Sequence, residues 1–248
     1  MKRLTIYFSL IYLSFFLAVC NAEEPDWSSY GQLLASHVSA GMKDNVNLMT
    51  VNYTAVKADE NYQLSLDTIA NFDTNKLQGQ NEKLAFYINA YNILAIKMVL
   101  DHWPVKSIKD AGSLFSSVWK KDVGKINQKT TSLHKVEHEI LRKMAEPRIH
   151  MAIVCASVSC PDLRNEPYTS QKLSNQLDDQ TQQFLKNDKK GLKLDGNTII
   201  ISKIFDWFED DFDNQGGVKA FIRKFREDLP ANIKIDADLS YNWNLNNR

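Results

Sequence analysis

Leu84-Ala85-Phe86-Tyr87-Ile88-Asn89-Ala90-Tyr91-Asn92-Ile93-Leu94-Ala95-Ile96 is apolar nearly all round. A helix with no polar face is one that the rest of the molecule surrounds. The run lies inside a longer helical pattern, from Asn81 to Trp103, that Pro104 ends. We therefore read it as the buried central helix of the fold. Asn89 and Asn92 stand three apart on one face of that helix. A buried amide without a partner costs on the order of 1–3 kcal/mol. Two readings follow: they bind nearby backbone groups, or they line a pocket and hold a catalytic group.

Outward from this helix the pattern is mixed. Ser28 to Met42 and Ala55 to Ile69 have roughly helical spacing, so residues 23–75 read as a helical extension packed on a main domain over 76–248. Downstream, Asp122 to Thr131 reads as a hairpin, and Ser132 as the N-cap of a helix running to Met144. Ile149 to Ala156 is apolar on both faces and reads as a central strand. Thr169 or Ser170 opens a polar helix to about Lys186. Asp195-Gly196-Asn197 between Leu192 and Ile201 is a hairpin signal. Two further helices are expected, Phe205 to Phe212 and Gly217 to Phe225. The sum is α+β: a helix-rich single domain with a small central sheet and a buried central helix.

The first 22 residues carry a different signal. Lys2 and Arg3 precede an apolar stretch of 16 residues, Leu4 to Val19, and Cys20-Asn21-Ala22 fits a cleavage site after Ala22. That stretch is shorter than the roughly 20 residues a spanning helix needs. The expectation is a secretory signal and a periplasmic or secreted protein. The alternatives are an N-terminal membrane anchor or acylation of Cys20. No other segment is expected to cross a bilayer. Thirty basic residues balance thirty acidic ones, and no basic run is clustered, which argues against nucleic acid as a partner. The expected partner is a small-molecule or peptide-like ligand.

The chemistry-bearing residues lie close together in sequence. Glu137 and His138 sit on the expected helix after Ser132. At 100° per residue, Glu137 falls about 40° from the centre of the stripe made by Leu133, Val136, Ile140 and Met144. A carboxylate turned toward a core needs a partner, and Arg148 is the nearest in sequence. His150 opens the expected strand, on the face opposite Cys155. Cys160 follows in the loop Ser157-Val158-Ser159-Cys160-Pro161.

A free thiol has a pKa near 8.5, so a nucleophilic cysteine needs a histidine to take its proton. Cys160 is the candidate nucleophile, with His138 as base and His150 in reserve. Glu137, Asn89 and Asn92 are then orienting groups. Against this stands the plain alternative for two cysteines in an oxidising compartment: Cys155 and Cys160 form a disulfide. His134-Lys135-Val136-Glu137-His138 also matches H-x-x-E-H, the pattern of one class of zinc hydrolases. Glu137 points nearer the core than the histidines, and a third ligand is not identified. No cofactor or metal is assigned.

Several blocks resemble the uncharacterised family called domain of unknown function 547. They are Ala85 to Asn92, His102-Trp-Pro-Val-Lys-Ser-Ile108, Val136-Glu-His-Glu-Ile-Leu-Arg142, Pro147-Arg-Ile-His-Met-Ala152 and Val154-Cys-Ala-Ser-Val-Ser-Cys-Pro161. They fall in the family's order over about residues 80–190, and the tail Ser240-Tyr-Asn-Trp-Asn-Leu-Asn-Asn247 is similar to its usual ending. The resemblance implies that Glu137, His138, His150, Cys155 and Cys160 occupy signature positions. It also implies an acidic residue where His134 stands here, which weakens the zinc reading. Some relatives lack a cysteine at the position of Cys160, which shifts weight toward Cys155 or away from thiol chemistry.

The leading expectation is an exported Cys/His-dependent hydrolase or acyl transferase acting on amide or thioester bonds. The alternative is a non-catalytic envelope binding domain whose same residues form a buried polar network or a disulfide.

Overall fold

The computed structural model describes residues 23–112, 117–230 and 232–248. The expected signal segment, residues 1–22, lies outside the described residues. Helix α1 (Ser28–His37) runs directly into a hairpin of β1 (Val38–Lys43) and β2 (Val46–Val51). Asp44 and Asn45 turn it, both with positive φ, 50° and 60°, a conformation that short polar side chains tolerate. Helices α2 (Tyr53–Ala58) and α3 (Glu60–Asn71) follow. Residues 23–75 thus contain a hairpin as well as helices. Trp27, Tyr30, Leu33, Tyr53 and Ile69 share one hydrophobic core with the central helix.

That central helix, α4 (Gln80–Asp101), has 22 residues and buries Leu84 to Ile96 almost without interruption. Glu82 starts it by accepting hydrogen bonds from the backbone N–H groups of Gln78 and Gly79, at 2.7 and 3.1 Å. In length and composition α4 is a helix that would cross a bilayer, yet 83% of its apolar window is buried inside the protein.

A second hairpin, β3 (Asp122–Ile126) with β4 (Lys129–Ser132), lies against α4 and α3. Helix α5 (Leu173–Lys186) follows a long irregular stretch. Strands β5 (Leu192–Asp195) and β6 (Thr198–Ser202) form the third hairpin. After α6 (Ile204–Trp207), a 3₁₀ stretch (Glu209–Gln215) and α7 (Gly217–Phe225), strand β7 (Lys234–Leu239) pairs parallel to β6. The architecture is α+β, with three small sheets around the edges and α4 at the centre. A second apolar cluster gathers Phe184, Leu192, Ile201, Phe205, Phe212, Phe221 and Met151.

Helices expected over Ser28 to Met42 and Phe205 to Phe212 are shorter, ending at His37 and Trp207, and two further elements differ more. The segment after Ser132 does begin where expected, with Ser132 Oγ accepting from the Lys135 N–H at 3.2 Å. It then winds as a π-helix (Lys135–Leu141) and a short 3₁₀ turn (Arg142–Met144) rather than an α-helix. The 100° wheel does not apply to it. π turns are rare and are found often at functional sites.

The expected central strand Ile149 to Ala156 is not a strand. Residues Pro147–Met151 form a 3₁₀ helix, with Pro147 at its start and Glu146 capping the Arg148 N–H at 3.1 Å. The chain beyond is irregular, and Ala156 sits at φ 61°. Its backbone groups are satisfied elsewhere. Asn92 donates to the Ala152 carbonyl at 3.0 Å and accepts from the Val154 N–H at 2.8 Å. The C-terminal tail supplies the rest: Asn246 N–H to Ala156 O, Val158 N–H to Asn244 O and Ser159 N–H to Asn242 O, at 2.8–3.2 Å. A side chain and a tail do the work that neighbouring strands would do in a sheet.

Candidate functional site

The π-helix, the irregular segment 152–161, α6 and the C-terminal tail surround a cleft of about 260 Å³. Glu137, His138, His150, Cys155 and Cys160 all line it. Tyr91 reaches it from α4, and Trp119, Trp207, Phe208, Tyr241 and Trp243 form its walls. The aromatic wall is continuous. Trp119 meets Trp243 at 6.5 Å between centroids, Trp243 stacks on Trp207 at 5.7 Å, and Tyr241 lies 4.5 Å from Trp243. Trp207 is 46% exposed, one of the few large apolar side chains that face solvent.

Three residues named from the sequence are elsewhere in function. Asn89 is buried, donating to Tyr168 O at 2.8 Å and accepting from Tyr168 N–H at 2.9 Å. Asn92 is tied to residues 152 and 154 as described. Both amides are spent on backbone, so they shape the site from beneath and do not line it. Arg148 is not the partner of Glu137. It forks onto Glu146, at 2.6 and 2.8 Å, and reaches Asp178 at 2.7 Å.

The partner of Glu137 is Tyr91, whose hydroxyl donates at 3.3 Å. Burial raises the Glu137 pKa to about 7, against the opposing pull of that hydroxyl and of the Arg142 charge. Near neutral pH this carboxyl exists in both forms, which suits a group that gives and takes protons. The inward turn of Glu137 that an α-helical wheel suggested is met here by a π-helix instead. The hydroxyl 46 residues away left no local trace.

A second network governs the histidines, and Asp211 is its hub. Arg142 forks onto Asp211 at 2.6 and 2.8 Å, and His150 Nε2 donates to it at 2.7 Å. Burial alone would raise the Asp211 carboxyl, but the hydrogen bonds from His150 and Arg142 outweigh it and hold its pKa well below the usual carboxylate range. Burial keeps His150 on the neutral side even so, its pKa lowered despite the carboxylate.

The other fork of Arg142 donates to His138 Nδ1 at 2.9 Å. A guanidinium only donates, so Nδ1 must accept, and neutral His138 carries its proton on Nε2. Burial and the neighbouring cations lower the His138 pKa as well. His138 therefore presents a donor and has no free lone pair for a base. His150 is the reverse: with Nε2–H directed at Asp211, its Nδ1 lone pair is left as an acceptor. Of His138 and His150, only His150 keeps a ring nitrogen as acceptor, and Asp211 orients it. The acidic, aromatic helix signal at Phe205 to Phe212 contains Asp211, but only the fold brings it to residues 142 and 150.

Cys155 and Cys160 are joined in a disulfide, their Cα atoms 6.1 Å apart. Cys160 is 3% exposed, while Cys155 is partly open to the cleft. The Cys155 N–H points at Cys160 Sγ (2.8 Å), and the Tyr241 hydroxyl lies 3.2 Å from Cys155 Sγ and 3.5 Å from Cys160 Sγ. Ser157 Oγ is 3.1 Å from Cys155 Sγ. Among the described residues, no imidazole hydrogen-bonds to either sulfur.

The H-x-x-E-H residues are also placed. The rings of His134 and His138 are 4.4 Å apart on one face, but Glu137 turns to Tyr91 and His138 Nδ1 is taken by Arg142. Among the described residues, no group of three or more His, Cys, Asp or Glu side chains is arranged to hold a metal ion.

Neither the curated proteins nor the solved structures hold a match to this chain. One family model does match, described as a protein of unknown function, DUF547, and the match spans residues 74–185. That span contains α4, the π-helix, His150 and both cysteines, while Asp211, Trp207, Tyr241 and Trp243 lie beyond it. Over residues 74–185 this chain carries the resemblance to the DUF547 family that its sequence blocks indicate.

Proposed function

We propose that this chain is an exported domain that binds a small, ring-bearing ligand in the aromatic cleft, with the ligand's polar edge turned toward Glu137 and His138. The observation that carries this reading is the cleft's composition. A wall of Trp207, Trp243, Trp119 and Tyr241 leads to a floor where a carboxyl titrates near 7 and a neutral imidazole offers Nε2–H. Apolar walls with a few placed polar groups are the general form of a small-molecule site. Export rests on the Lys2-Arg3 and Leu4–Val19 signal.

With both sulfurs in one covalent bond, neither is a nucleophile in the oxidised protein. Thiol catalysis on amide or thioester bonds is therefore a second reading, for the reduced protein. The His150–Asp211 pair favours it, since an oriented imidazole with a free nitrogen lines the same cleft as Cys155.

The test is a fragment screen by protein-observed NMR, with the oxidised protein and with Trp207→Ala, using phenols, adenosine and short oligosaccharides as ring-bearing probes. Trp207→Ala is expected to cost about 1–2 kcal/mol, since the half-exposed side chain stacks on Trp243 and packs against Tyr241, to leave the chain folded, and to lose the shifts at Tyr241 and Trp243. Binding that is indifferent to Trp207→Ala, or no binding by any ring class, defeats the reading. Hydrolysis of a thioester only after reduction, abolished in His150→Ala, would instead favour the second.

A further inference from the structure

We propose that the Cys155–Cys160 disulfide is exchange-active toward dithiols, with Cys155 as the sulfur attacked and Cys160 as the sulfur that leaves.

The argument begins with access. The disulfide lies on the cleft wall, and its two sulfurs differ: Cys155 is partly exposed, and Cys160 is 3% exposed. A thiolate entering the cleft meets Cys155 first. Exchange also depends on how well the departing sulfur carries negative charge. Cys160 Sγ has a fixed donor, the Cys155 N–H at 2.8 Å, and the Tyr241 hydroxyl lies between the two sulfurs, 3.2 Å from Cys155 Sγ and 3.5 Å from Cys160 Sγ, free to turn to whichever carries the charge. A neutral disulfide sulfur gains little from such donors, whereas a thiolate gains much more, because hydrogen bonds to charged groups are the stronger ones. The donors are in place before the charge appears. They cannot move far, since Tyr241 is packed against Trp207 and Trp243.

The chemistry balances as follows. One thiolate of the dithiol attacks Cys155 Sγ, a bond forms between those sulfurs, and the Cys155–Cys160 bond breaks with its electron pair on Cys160 Sγ. The second thiol of the dithiol, as its thiolate, attacks the dithiol sulfur of the mixed disulfide and expels Cys155 Sγ. The dithiol is oxidised to its cyclic disulfide by two electrons, and its two protons end on Cys155 and Cys160. The two thiols so produced lie in the cleft with His150. The exchange stands whatever ligand the cleft binds.

The experiment treats the folded full chain with dithiothreitol at pH 7.5 without denaturant, quenches with iodoacetamide and maps each cysteine by peptide mass spectrometry, which separates Cys20. Both cysteines are expected to be alkylated within minutes with the circular dichroism unchanged. With the monothiol glutathione, the mixed disulfide is expected on Cys155 and the alkyl group on Cys160. Tyr241→Phe is expected to slow the dithiothreitol reaction about tenfold, the worth of one hydrogen bond to a thiolate. Glutathione found on Cys160, or a disulfide that opens only in denaturant, overturns the proposal. An unchanged rate in folded Tyr241→Phe overturns the hydroxyl's part as donor to the departing sulfur, while the glutathione mapping decides which sulfur departs. Because the glutathione mapping needs no variant, a Tyr241→Phe chain that fails to fold still leaves the proposal open to refutation.

Discussion

Asn89 and Asn92 on α4 differ from Glu137 and His138 on the π-helix in how their polar atoms are used. The two asparagines are buried, and each side chain both donates and accepts, always with backbone. Neither side chain lines the cleft, and both are enclosed by the core. Glu137 meets one hydroxyl at 3.3 Å and has a displaced pKa, while His138 keeps Nε2–H for the cleft. A buried polar group that is fully paired with backbone is doing structural work. One that is partly paired, displaced in pKa and lining a cavity is a functional candidate. The two pairs lie next to each other in space, since Tyr91 of α4 is the partner of Glu137. Burial separates them as well: Asn89 and Asn92 are fully enclosed, whereas Glu137 and His138 are partly open to the cleft.

The largest effect that could break this contrast belongs to Asn92. Asn92→Ala strands the Ala152 carbonyl and the Val154 N–H, at a cost on the order of 4 kcal/mol for two buried backbone groups. Urea unfolding should show that loss. A variant as stable as the parent would mean that water takes over both groups, and Asn92 would cease to be structural.

Glu137 comes next. Its folded pKa, about 7, lies above the unfolded value near 4.5, so between those values the folded state binds the extra proton. Its contribution is complete below pH 4.5 and is lost as pH rises to about 7, a decline on the order of 3 kcal/mol. Glu137→Gln should remove that decline and be the more stable protein at pH 8. Parallel pH–stability curves for the two proteins would show that the carboxyl is ionised in the fold, and the contrast with Asn92 would disappear.

Asp211 sharpens the comparison from the other side. Its pKa is depressed, so the stability it confers is present above about pH 4 and is lost as pH falls through its folded value. It is part-exposed, and solvent screening reduces the effect to about 1 kcal/mol. Asp211→Asn should shift the acid unfolding midpoint upward less than it alters the His138 and His150 imidazole resonances followed by NMR. Unchanged imidazole titrations would dismantle the Arg142–Asp211–His150 network as a unit.

Local signals carried much of the fold into the sequence. The central helix was legible because an all-round apolar run can only be buried, and the β3–β4 and β5–β6 hairpins because turn residues separate their strands. The Asp44-Asn45 hairpin had the same kind of signal inside a stretch that reads as helix. The cleft residues Glu137, His138, His150, Cys155 and Cys160 were legible because they crowd into 24 positions. Tyr91, Asp211, Trp207, Tyr241 and Trp243 had only regional hints: the central helix, an acidic aromatic segment and a tail. The hydrogen-bonded roles of Tyr91, Asp211 and Tyr241 are set by partners 46 to 86 residues away.

The sequence by itself determined that a long buried helix lies at the centre of an α+β domain and that five of the cleft's polar residues crowd between residues 137 and 160. Tertiary structure alone decided the path of residues 149–156, which imidazole has a free nitrogen, and that the two sulfurs face each other. The reason is physical. An apolar run hides its own backbone geometry, because strand and irregular chain are equally acceptable once their hydrogen bonds are met. Here Asn92 and residues 242–246 meet them, and no periodicity within 149–156 encodes where those partners stand.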